Sequence, residues 1–130
     1  MAARGKKGVC VVMRESNQPR KWDREEVVIL VAEYFRTKHL SSDEIAETHQ
    51  MISDFLRKRE AIITGVSGSD IFRNYAGIHM QSGRIQCLDP DTKYFGMQGT
   101  KLQEEIVQEY LQNPQKILDE AEQVYNKYGR

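Results

Sequence analysis

Histidine and cysteine are the side chains of this sequence best suited to metal or bond-making chemistry, and it carries three of one and two of the other. His39, His49 and His79 show neither an HxxxH nor an HExxH spacing, so no pair shares a helical turn in the usual way of a metal grip. Cys10 and Cys87 lie far apart, outside any CxxC arrangement, and do not complete a zinc set. They read as reduced thiols of a cytoplasmic protein. A Cys87 nucleophile with His79 as base, two turns apart on one helix, has neither an orienting carboxylate nor an oxyanion donor. Gly65-Val66-Ser67-Gly68 lacks the Lys-Ser/Thr that completes a phosphate-cradling loop. The residues therefore point away from an enzyme, and no metal or other cofactor is expected.

A different chemistry is available between Phe72 and Pro90. Asn, Gln and Arg are the side chains able to make bidentate contacts with base edges. Asn74, His79, Gln81 and Arg84 fall on this stretch as candidate edge or phosphate contacts, with Arg57, Lys58 and Arg73 as candidates for the DNA backbone. Each is equally an ordinary helix-surface residue. Lysine plus arginine and aspartate plus glutamate each number 19, so the formal net charge is zero, and no excess positive charge favours strong sequence-independent binding. The distribution is uneven all the same: the N-terminal stretch is basic and the C-terminal one acidic.

The elements that must position these residues follow from periodicity and caps. Asn74 is an N-cap; Ile78, Ile85 and Leu88 then fall on one side of a helix over 74 to 88, and Pro90 stops it. Glycines 77 and 83 weaken that helix by about 1 kcal/mol each relative to alanine, so others must pack beneath it. The first helix spans 23 to 38, capped by Asp23, with Glu25 and Glu26 in its first turn and a stripe of Val27, Leu30, Val31, Tyr34 and Phe35. Trp22 is placed to fold over Val27 as a hydrophobic staple. A second helix starts after Ser41 or Ser42, carries Ile45, His49, Ile52 and Leu56 inward, and ends in Arg57-Lys58-Arg59. His49 on that apolar stripe reads as a hydrogen-bonded, partly buried histidine rather than a ligand. Residues 61 to 71 form either a hairpin-like excursion or a loop. Tyr94 and Phe95 are expected to cover one end of the core. Thr100 opens a helix with Leu102, Ile106, Tyr110 and Leu111 inward. Asn113-Pro114 restarts a last one through Ile117, Leu118, Ala121, Val124, Tyr125 and Tyr128 to Gly129.

Two stretches carry a resemblance. Arg20-Lys21-Trp22-Asp23-Arg24-Glu25-Glu26, with Leu30 and Tyr34, is similar to the R-x-W-x-x-E-E opening of a small helical domain joined in bacteria to HNH-type restriction endonucleases. Its tryptophan-acid start also looks like the first helix of Myb/SANT modules. Phe72-Arg73-Asn74, Gly77-Ile78-His79-Met80, Ile85 and Leu88-Asp89-Pro90 resemble the same domain's FRNPNGVxMKLxNFxxLDP helix. The match covers 20 to 96 and implies a DNA-facing third helix in a defence or mobile-element setting. Gln81-Ser82 replaces the usual Lys-Leu, Arg84 replaces Asn and Tyr75 replaces Pro. No HNH motif follows in this sequence, so cleavage is not expected of it.

The expectation is an all-α fold of five helices, with a helix-turn-helix-like three-helix core at 22–96. A basic arm at 1–21, phosphate-tracking or frayed, and a C-terminal helical extension at 97–130 complete it. The expected function is a non-enzymatic DNA-binding module presenting the 74–88 helix to duplex DNA. The alternative is a protein-protein or self-association adaptor that uses 102–128, with Tyr110, Tyr125 and Tyr128 as its contact face. No run approaches the ~18 apolar residues of a membrane span.

Overall fold

A computed structural model describes residues 20–129. The expectations for the basic arm, including the short apolar run Val9 to Met13, lie outside the described residues, apart from Arg20 and Lys21 at its end. Among the described residues there are five helices and no strand: α1 (Arg24–Thr37), α2 (Ser42–Thr64), α3 (Tyr75–Gln86), α4 (Lys101–Gln112) and α5 (Pro114–Tyr128). The all-α expectation holds. No helix among the described residues is long and apolar enough to cross a membrane.

Helix α1 is the axis of the molecule. Asp23 caps it, accepting from the Glu26 N–H, while the Glu26 carboxylate accepts from the Asp23 N–H, a complete capping box. Every residue from Val27 to Ala32 is buried. A stripe on one face does not do that; it needs cover on all sides, and α1 touches each of the other four helices. The C-terminal pair supplies the additional cover through Ile106, Val107, Ile117, Ala121, Val124 and Tyr125, all buried. Burying one of these valine or isoleucine side chains stabilises by about 1.5–3 kcal/mol relative to leaving it exposed. Phe35 stacks on Tyr110 at 4.1 Å and 10°, closing one end of the α1–α4 seam.

Helix α2 runs on to Thr64, past the Arg57-Lys58-Arg59 cluster at which it was expected to end, so no hairpin forms at 61–71. Its stop is Gly65, in the left-handed region at φ 81°, whose N–H reaches the Ala61 carbonyl at 2.8 Å. Trp22 is partly buried against the core, but an arginine lies over its ring, as described below. In α4 Ile106 is buried and Leu102 and Tyr110 pack against the core as expected; Gln103 and Val107 are buried as well, whereas Leu111 is 39% exposed. In α5, Asn113 caps and Pro114 occupies the first turn, as the sequence signals predict.

Candidate functional site

Helix α3 is fastened to α1 at both ends by buried charge. At its N-terminal side Arg73 donates from Nε to the fully buried Glu26 carboxylate at 2.8 Å and from Nη2 to the Arg20 carbonyl at 3.0 Å. Its guanidinium lies 4.0 Å from the Trp22 ring centroid and 4.5 Å from that of Phe72. Arg20 bonds both Glu26 and Glu60. Burial opposes the charge of Arg20, but these carboxylates outweigh it and hold the guanidinium pKa above its ordinary value. Arg59 joins the same cluster through Asp23 at 2.8 Å and Glu25 at 3.0 Å. Arg73 has φ 47°, a left-handed conformation unusual for a residue with a Cβ, and Ser53 Oγ holds its carbonyl at 2.7 Å. At the other end Asp89 accepts from Lys38 Nζ at 2.8 Å and Tyr34 Oη at 2.7 Å. Burial works against the Asp89 carboxylate, yet Lys38, the Asp91 N–H and Tyr34 together keep its pKa below the usual carboxylate range.

These fastenings take up most of the residues the sequence offers for DNA. Arg73 is buried in the Glu26 cluster and does not reach a surface. Asn74 caps α3, accepting from the Gly77 N–H at 2.9 Å. Arg57 donates from Nη1 to the carbonyls of Ser69 and Phe72, closing the turn that leads into α3. Lys58, exposed, reaches the Gly129 carbonyl at 2.7 Å. Gln81 accepts from Gln103 Nε2 at 2.7 Å, a tie between α3 and α4. Arg84 donates from Nη1 to the Gln98 carbonyl at 2.7 Å, while its Nε is buried without a partner. His79 remains exposed, its Nδ1 lying 3.2 Å from Nδ1 of the buried His49. The structure thus gathers Arg57, Arg73 and Asn74 at the start of α3 for structural ends and leaves His79 outward.

What the sequence reading missed is the neighbour of that histidine. Tyr94 and Phe95 do not cover the core; Tyr94 is 44% and Phe95 85% exposed. The segment from Asp91 to Gly99 lies along the second half of α3, held by the Arg84 contact. A Cβ on Gly83 would stand only 3.0 Å from Met97 Sδ, so Gly83 admits this approach. Tyr75 and Met80 on α3 and Met97 in this segment are exposed, and among the described residues Lys93 and Lys101 are exposed with no hydrogen bond or ion pair. A groove of about 320 Å³ opens between α2, α3 and this segment, lined by Ile45, His49, His79, Ser82, Gln86 and Tyr94 among others. The one signal in the sequence was Lys93-Tyr94-Phe95 between glycines and a proline, aromatic residues outside any helical period.

Compared with known proteins, the chain matches no family model, no curated protein and no solved structure.

The proposed contact face on the C-terminal pair is also occupied. Tyr125 is fully buried and donates to Glu33 at 2.7 Å, Tyr110 is stacked on Phe35, and Tyr128 donates to Glu25 at 3.0 Å. Among its acids, Glu109 and Glu120 bind Arg24. Among the described residues, α3 and the 91–99 segment carry the exposed rings of Tyr75, Tyr94 and Phe95 and the exposed Lys93. These groups can grip a planar or apolar group and neutralise nearby negative charge.

Proposed function

We propose that this chain is a DNA-binding module without catalytic activity of its own, serving a bacterial defence or mobile-element system. The face it offers to duplex DNA is α3 with the 91–99 segment. The observation that carries this reading is the interleaving of exposed rings and cations there: Tyr75 and His79 on α3, Lys93, Tyr94 and Phe95 beside it, and Lys101 at the start of α4. Lysines neutralise phosphates and release counterions, while exposed rings lie against sugars or unstacked bases. The resemblance of 20–96 to a DNA-facing restriction-associated domain supports the same reading. Fluorescence anisotropy with labelled duplex at low salt tests it. Binding in the micromolar range is expected, falling as salt rises; Lys93→Ala reduces the salt slope by about one, and Phe95→Ala weakens binding without altering the melting temperature. No binding at micromolar protein would end it.

A second reading, a protein-interaction or self-association adaptor, has one observation in its favour. Arg57, Lys58 and Arg84 use donors on backbone carbonyls, which leaves Met80, Met97 and Phe95 as prominent exposed groups. Light scattering separates the two. Under the adaptor reading a concentration-dependent dimer forms and Phe95→Glu abolishes it; under the DNA reading the chain is monomeric without DNA.

A further inference from the structure

We propose that His49 and His79 form a two-imidazole site for a borderline divalent transition-metal ion, with Zn²⁺ as its simplest occupant, at the side of the groove between α2 and α3. This inference stands apart from the DNA reading and survives or falls without it. The two Nδ1 atoms lie 3.2 Å apart, with ring centroids at 5.2 Å and ring planes at 67°. On a tetrahedral ion with metal–nitrogen bonds of ~2.0–2.1 Å, neighbouring ligand atoms stand roughly 3.3 Å apart, so little motion is needed to admit one.

The pair is also held in place. His49 precedes the buried Ile52 by one helical turn, and His79 directly follows the buried Ile78. Two separate helices anchored in one core therefore present the two nitrogens, and little ordering is left to be done on binding. That origin in different helices is why no short sequence spacing announces the pair.

Neutral imidazole is the ligating form. Without an ion, one Nδ1–H donates to the other Nδ1. With an ion on both Nδ1 atoms, that proton moves to Nε2 of its own ring, so a neutral pair loses no proton overall. No third His, Cys, Asp or Glu completes a ligand group among the described residues. The groove beside the pair is lined by Ser82, Gln86 and Tyr94, and water there would complete the coordination of an ion held by the two imidazoles. Imidazole nitrogens favour Zn²⁺, Cu²⁺ and Ni²⁺ over the hard, oxygen-seeking Mg²⁺ and Ca²⁺.

Calorimetric titration of Zn²⁺ into the full chain, with its thiols kept reduced, tests the site alongside ¹⁵N spectra of the histidine rings. One ion per chain is expected, shifting the ring nitrogens of His49 and His79 and leaving those of His39 in place. His79→Ala and His79→Gln, both at an exposed position, should each weaken binding roughly tenfold or more, whereas His39→Ala should not. Mg²⁺ should give no heat. Absence of saturable binding, or a His79 variant that binds Zn²⁺ as tightly as the parent, overturns the proposal.

Discussion

At the scale of the residue, Arg73 shows how a basic side chain at the start of a helix can be turned inward. Its guanidinium neutralises Glu26, which is 0% exposed, and the pair lies against Trp22. A buried ion pair adds little net stability over an apolar pair, but removing one partner leaves the other charge unsolvated. Arg73→Ala is therefore expected to cost about 3 kcal/mol in chemical denaturation, near the low end for such losses because Arg20 still reaches Glu26. Arg73→Gly should be less damaging by about 1 kcal/mol, since glycine relieves the left-handed φ of 47° while losing the same ion pair. Equal losses for the two variants would mean that the backbone conformation carries no strain. The sequence identified Arg73 as charged and near a helix start. It did not show that Glu26, 47 positions earlier, would lie under it.

At the scale of the element, α3 is short and carries two glycines, and it persists because its ends are fixed. Asn74 supplies the local part of that fixation and was legible from residue type and position alone. Replacing it with alanine removes the acceptor for the Gly77 N–H and is expected to lower stability by about 1 kcal/mol. Asn74→Asp should retain the cap and add favourable charge at the positive helix end, so its melting temperature should match or exceed the parent. A melting temperature for Asn74→Ala equal to the parent would show the cap to be redundant with the Arg73 and Asp89 fastenings. The inward positions Ile78 and Ile85 were legible too, being 0% exposed at the expected spacing. The outward face was legible only in part, because Gln81 is claimed by Gln103 from a helix 22 residues away.

At the scale of the whole molecule, acids and bases that cancel in the net charge also tie the elements together. Arg24 at the start of α1 binds Glu109 of α4 and Glu120 of α5, and Lys116 adds a second contact to Glu109. Hydrogen bonds from Arg24 and then Lys116 lower the Glu109 carboxyl from its usual 4.5 to about 2. A carboxylate depressed in the folded state contributes stability that is complete above the unfolded value and lost as pH falls through the folded one. Stability should therefore decline between pH 4.5 and about 2, and Glu109→Gln should flatten that decline in urea midpoints measured across the range. Asp89 and Glu25, both also lowered, add to the loss in the same direction. A Glu109→Gln profile parallel to the parent would show that this tie does not couple the C-terminal pair to α1.

By itself the sequence determined the caps, the helical periods and the all-α class, because each depends on residues within a turn or two of one another. The tertiary structure alone decided that α1 is enclosed on every side, that Arg73 and Asp89 face inward, and that Tyr94 and Phe95 face water. It also brought two histidines from separate helices within 3.2 Å. The reason is physical: a charge or ring is assigned to the surface or the interior by whatever partner the packing of distant segments brings to it, and that partner leaves no mark on the local sequence.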